Sequence, residues 1–262
     1  MFAATALVAG LAMADVTSAN IVGYNNRSLD LTKDNWKLVS LSFNEVGAKT
    51  EGVAFDKVLN MTGIAPVLFE EATGEDKGAC VLTRDPVTGG YTNYIYINDA
   101  GENYDETGWA DDGEGMLLKG SVKVDCGFGI WLRLGSDVSE GDINVSGEFI
   151  SDQSVKVDFN PGWSILANPY PVAINPNNLT TLVDPVLFED ATGAEKGACI
   201  LTRDPVTGFY TNYIYISDAG ENYDETGWSD DSEGMLIESE IIPVGHAFWM
   251  RSEKAGSLEF SL

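Results

Sequence analysis

The sequence predicts an all-β protein of two tandem homologous domains, each a β-sandwich or barrel-like unit with short helical turns. Three observations carry that prediction. Residues 67–118 and 186–237 align without a gap and agree at about 43 of 52 positions, and a repeat of this length is a whole folding unit. The dominant hydrophobic period is two: Val155, Val157 and Phe159 alternate with Ser154, Lys156 and Asp158. Short runs of this kind are punctuated by Gly, Pro and Asp at the spacing of sandwich and barrel strands.

The elements follow in order. Residues 21–31 parallel 149–159, and residues 35–43 parallel 162–170, with Trp36 facing Trp163. The run from Trp36 to Phe43 is apolar on both sides of the alternation and predicts a strand buried on both faces. Residues 52–60 and 177–183 suggest short helical turns. Residues 79–84 and 91–97 flank Asp85-Pro86-Val87-Thr88-Gly89. Proline near the start of that turn and glycine at its end fit a type I turn followed by a left-handed residue, hence a hairpin. The same hairpin recurs around Asp204 to Gly208. Residues 116–118 and 128–134 are further strands, and 126–134 parallel 244–252, with Trp131 facing Trp249. Each copy closes on an alternating segment, 142–147 and 257–262. The domains are therefore 15–148 and 149–262, meeting near 141–150, each about 110–130 residues and of ordinary domain size. The outer thirds have diverged and the middle third has not; either function holds the middle fixed or recent copying has renewed it.

A chain of 262 residues with 44% hydrophobic residues can bury two cores. Its formal net charge of -26, from 41 acidic and 15 basic residues, argues against nucleic acid, whose phosphates require a basic face. It also disfavours anionic membrane surfaces and suits divalent cations. Residues 1–14 read as a signal peptide: residues 2–13 are apolar and uncharged, and Ala12-Met13-Ala14 places cleavage before Asp15. The run is too short to span a bilayer, no second apolar segment follows, and no membrane insertion is expected. The mature protein is expected outside the cytoplasm, secreted or at the cell surface. Cys80 and Cys199 are repeat equivalents, while Cys126 stands opposite Val244. Two readings of this odd count stand open: three small buried hydrophobes, or a Cys80–Cys126 bridge with Cys199 free.

Candidate sites fall into three groups. Asp99, Glu102, Asp105, Asp111 and Asp112 crowd one acidic turn, and Asp218, Glu221, Asp224, Asp230 and Asp231 crowd its twin. Calcium takes six to eight such oxygens, which makes it the candidate cofactor, although the spacing matches no EF-hand loop; the other reading is that these carboxylates are solvated surface and no cofactor is held. Alternation places Tyr94 and Tyr96 on one face and Ile95 and Ile97 on the other. With the isoleucines as core, Tyr94, Tyr96 and Trp109 form an aromatic ladder, repeated as Tyr213, Tyr215 and Trp228. Rings beside carboxylates can grip a glycan, or can pack with their hydroxyls satisfied. The single histidine, His246, has Phe128 as its repeat equivalent and is expected to be packed. With His246 packed, no other histidine remains to serve a Ser-His-Asp triad or a His-metal site. No catalytic residue is nominated.

Residues 161–171, PGWSILANPYP, followed by VGHAFWM at 244–250, resemble a class of secreted bacterial β-rich repeat modules. These carry a GWN-L-x-NPYP opening and a GxxFW closing strand, often after a VGY segment such as Val22-Gly23-Tyr24. The first copy departs from it, with Leu41-Ser42 in place of Asn168-Pro169 and Asn35 in place of Gly162. The resemblance implies secretion and β-structure and transfers no catalytic residue. The expected function is a secreted, non-enzymatic structural or adhesive surface protein, self-associating or engaging surface glycans. The alternatives are a glycan-binding module pair and a carboxylate-based hydrolase.

Overall fold

The computed structural model describes residues 22–29, 36–41, 43, 52–62, 64–136, 141–148, 154–204 and 207–261. The expected signal peptide lies outside the described residues. The first half contributes β1 (Val22–Leu29), β2 (Lys37–Ser40), β3 (Val53–Ala54), α1 (Phe55–Val58), β4 (Leu59–Thr62), α2 (Phe69–Gly74), β5 (Cys80–Arg84), β6 (Tyr91–Ala100), β7 (Glu106–Asp111), β8 (Lys123–Val124), β9 (Gly129–Arg133) and β10 (Gly141–Glu148). The second half contributes β11 (Val155–Phe159), β12 (Gly162–Ala167), a 3-10 turn (Pro176–Asn178), β13 (Thr180–Leu182), α3 (Phe188–Gly193), β14 (Cys199–Arg203), β15 (Tyr210–Ala219), β16 (Glu225–Asp230), β17 (Ala247–Ser252) and β18 (Gly256–Phe260). The protein is all-β, and no described helix is long and apolar enough to cross a membrane.

Each half repeats one plan. A five-stranded antiparallel sheet, ordered β2-β9-β5-β6-β7 or β12-β17-β14-β15-β16, packs against a three-stranded one, ordered β1-β10-β4 or β11-β18-β13. The cores lie between these layers. In the first, Val39, Val81, Ile130 and Leu132 of the large sheet meet Leu59 and Val145 of the small one. In the second, Leu166, Ile200, Phe248 and Met250 meet Val157, Leu258 and Phe260. The opposite face of each large sheet is also covered: Ile95 and Ile97 pack with Ala72 of α2, and Ile214 and Ile216 with Ala191 of α3. β2 is buried at all four positions, with Val39 in the core between the layers and Leu38, on the other face, packed against Ile165, Ala167 and Ala247 of the second half.

The hairpins form as the turn chemistry requires. Gly89 and Gly208 adopt φ of 73° and 74°. The amide of Gly89 donates to the Asp85 carbonyl, and that of Gly208 to the Asp204 carbonyl, both at 2.9 Å. The tryptophan pairs predicted to be equivalent are so: Trp131 lies opposite Leu38 in the register, and Trp249 lies opposite Ile165. The thiols of Cys80, Cys126 and Cys199 are all free, so the Cys80–Cys126 bridge is not formed. Cys80 belongs to the cluster under α2 while Cys126 packs against the second core. Burial pushes the Cys126 thiol up to about 11.

The two large sheets meet edge to edge through reciprocal contacts. The Ser40 amide donates to the Gly245 carbonyl at 2.8 Å, and its repeat equivalent, the Ala167 amide, donates to the Gly127 carbonyl at 2.7 Å. Val39 bridges His246, and Leu166 bridges Phe128. A contact of i with j' matched by i' with j is the signature of a two-fold interface, here built inside one chain. His246 is half-buried in this seam. At the centre Gly129 faces Ala247, and a Cβ on Gly129 would overlap the Cβ of Ala247. The NPYP stretch ends β12, whose place is the edge of its own sheet and the seam of the joined pair.

Candidate functional site

The residues nominated from sequence divide by role. Asp99 accepts the Phe69 amide at 2.7 Å, and Asp218 accepts the Phe188 amide at 2.8 Å. Each thereby satisfies a donor that the first turn of α2 or α3 leaves unpaired. Asp111 accepts the amides of Gly113, Glu114 and Met116, and Asp230 does the same for Ser232, Glu233 and Met235. Partial burial raises these two carboxyls, and it is outweighed by the backbone donors at Asp111 and by the Ser232 hydroxyl together with the backbone donors at Asp230, so both sit below the ordinary aspartate value. Asp231 accepts from the Asn212 amide group. Glu102, Asp105, Asp112, Glu221 and Asp224 are exposed. Among the described residues, no three His, Cys, Asp or Glu side chains gather into a group that could hold a metal ion.

The tyrosine ladder does not stand on an open face. Tyr94, Trp109 and Trp228 are buried, and Tyr96, Tyr213 and Tyr215 are half-buried. Tyr94 and Trp109 close on Phe55 of α1 at centroid distances of 5.4 and 5.6 Å. Tyr215 tilts against Trp228 at 5.2 Å, and the Trp228 indole donates to the Thr181 hydroxyl at 3.0 Å. The expectation that isoleucines mark the sole core face is therefore corrected. Both faces of the sheet are covered: the isoleucines pack under α2 and Tyr94 and Trp109 in the core between the sheets. Tyr96 and Trp109 also line a cavity of about 350 Å³ with Asp56, Lys57 and Lys119. In the second half Asn177 occupies the corresponding place, bonded to both the amide and the carbonyl of Trp228.

A different aromatic constellation sits on the helix-covered face, across the seam. Trp36, Trp131, Trp249 and Trp163 form a continuous row, with successive ring centroids 6.3, 6.2 and 6.0 Å apart. The inner two rings come from β9 and β17, one from each half. Arg133 lies over Trp36 at 5.1 Å, and Arg251 lies over Trp163 at 5.7 Å. These arginines pair with Asp76 and Glu195. From each hairpin an arginine and a tyrosine pair across the strands: Arg84 lies over Tyr91 and Arg203 over Tyr210, both at 5.9 Å. The hairpin of the second half reaches back to the first, where Arg203 donates to the Trp36 carbonyl at 2.9 Å.

Two adjoining cavities result. One, of about 460 Å³, is floored by Trp36 and Trp131 and walled by Leu82, Tyr91, Tyr210, Gly208 and Arg203. The other, of about 420 Å³, is floored by Trp163 and Trp249 and walled by Leu201, Tyr210, Tyr91, Gly89 and Arg84. Each lining residue of one is the repeat equivalent of a lining residue of the other, and Tyr91 and Tyr210 serve both. Each arginine crosses the seam: Arg203 enters the cavity floored by the first half and Arg84 the cavity floored by the second. Tyr91, Tyr210 and Trp163 are 49%, 48% and 38% exposed, so aromatic side chains meet solvent here. Four of the chain's five arginines and four of its six tryptophans gather at this place. Sequence reasoning paired the tryptophans and missed the site, because the residues that complete each cavity come from the other copy. Arg84 and Tyr91 flank the hairpin turn at mirrored positions, which was the available signal. No protein-family model, curated protein or solved structure matches this chain, and the chemistry of the twin cavities carries the functional argument alone.

Proposed function

We propose that this is an exported, non-enzymatic protein of two homologous domains that acts in adhesion or surface structure by binding glycans in the twin aromatic cavities. The observation that carries the reading is the row of four tryptophans beneath two half-exposed tyrosines. Flat rings at about 6 Å spacing offer stacking platforms to the apolar faces of sugar rings. The guanidinium groups at the rim supply donors to sugar oxygens, the usual mix of apolar lining with a few fixed polar groups. A glycosidase needs two carboxyl groups flanking the bond it cleaves; the groups lining these cavities are aromatic, aliphatic and cationic. Stacking platforms also suit single-stranded nucleic acid, but that ligand needs a basic track along its backbone, and this chain carries a net charge of -26.

The test is titration with a panel of neutral and acidic polysaccharides, read by tryptophan fluorescence. Binding should shift the emission, since four of six tryptophans lie at the site. Tyr91→Ala combined with Tyr210→Ala should abolish the shift while leaving the far-ultraviolet circular dichroism unchanged. A panel without a single binder, or a double variant that binds like the parent, would overturn the proposal.

A further inference from the structure

Resting on the glycan reading, we propose that the protein holds two carboxylated saccharide units per chain, one in each cavity, each oriented by an arginine delivered from the opposite half.

Charge placement supports the acidic sugar. The chain has 41 acidic residues and 15 basic ones, yet its arginines are concentrated at one spot. Arg133 and Arg251 are paired with Asp76 and Glu195 there and brace the outer tryptophans. Arg84 and Arg203 line the cavities themselves. Each of these guanidinium groups lies over a tyrosine ring, and Arg203 also donates to the Trp36 carbonyl; a guanidinium carries five N–H donors in a planar fork, a donor set suited to the oxygens of a carboxylate. A neutral sugar could be served by an amide or a hydroxyl, without placing a cation in a cavity. The rest of the surface repels polyanions at long range, but that repulsion is screened beyond about 8 Å at physiological salt, while a contact pair inside a cavity is screened far less.

The count of two follows from the reciprocal seam. Equivalent residues line both cavities, so a unit that fits one fits the other. Each volume lies within the about 300–1,000 Å³ typical of small-molecule sites, which gives each cavity room for its own unit.

The experiment is isothermal titration of the full chain with short oligogalacturonates and with neutral galactose oligomers of the same length. The expected result is two equal sites for the acidic oligomer and at least tenfold weaker binding of the neutral one. Arg84→Gln and Arg203→Gln should each leave one site, and Arg84→Lys should recover only part of the loss because the planar fork is gone. Equal affinity for the neutral oligomer would overturn the acidic preference and leave the glycan reading standing. A stoichiometry of one would overturn the two-site inference. If neither oligomer binds while a polysaccharide of the wider panel does, the sugar class is wrong; if nothing in either panel binds, the glycan reading falls with it.

Discussion

Asp111 and Asp230 illustrate how identical side chains in one sequence take different employment. Neighbours such as Asp112 and Asp105 face solvent, while these two lock a tight turn through three backbone donors each. Their carboxyls sit below the ordinary range in the fold. A depressed carboxyl contributes stability that is complete above its unfolded pKa and disappears as pH falls through the folded one. The melting temperature should therefore decline as pH drops below about 4, and Asp111→Asn with Asp230→Asn should flatten that decline. Thermal melts from pH 6 to 2 decide it; parallel curves for parent and variant would show that these turns are not the titrating elements. The sequence presented all these acids as one class. Only the spacing of an aspartate two and three residues ahead of a turn glycine and glutamate hinted at a turn lock. The aromatics left two readings open for a related reason: alternation tells which residues share a face but not that both faces are covered, as they are here.

At the scale of elements, the hairpins were legible and so were the short helical turns at 52–60 and 177–183, where α1 and the 3-10 turn lie, whereas α2 and α3 were not. The Asp-Pro-Val-Thr-Gly stretch specifies its own turn through φ and hydrogen-bonding preferences, so local chemistry suffices. The six residues of α2 and α3 are too few to show a helical period, and they are held by a partner distant in sequence, the carboxylate of Asp99 or Asp218. Asp99→Ala should remove that cap and destabilise the fold by about 1 kcal/mol, the usual cost of losing one, while Asp99→Asn keeps an acceptor and most of the stability. Urea denaturation of the three proteins measures the difference. An unchanged midpoint for Asp99→Ala would assign the order of α2 to its packing on Ile95 and Ile97 alone. The seam strands were half legible. The reading of β2 as buried on both faces was right, but the pairing of its end with the segment ahead of β17 involves a register no local pattern encodes.

At the scale of the whole molecule, the seam decides both fold and site. Gly129 and Ala247 occupy equivalent positions and touch, leaving no room for a larger side chain. Gly129→Val should cost about 1–3 kcal/mol by overpacking and disturb the near-ultraviolet circular dichroism of the tryptophan row. Gly74→Ala, where a Cβ meets open space, should do neither. A Gly129→Val protein with the parent's spectrum and melt would mean the two edges separate freely. The duplication was plain in the sequence, yet it could not say which edges of the two copies face one another. The answer bears on how the protein behaves when scarce. Two separate chains meeting through this seam would dissociate on dilution, because their association is bimolecular. Here the second half never leaves: the short connection between Glu148 and Ser154 keeps it at an effective concentration of about millimolar however few molecules are present. Cavities that draw residues from both halves thus persist in a single isolated molecule. Because each half has its own codons, one can also change without the other, as Phe209, 76% exposed where the first half has Gly90, already records.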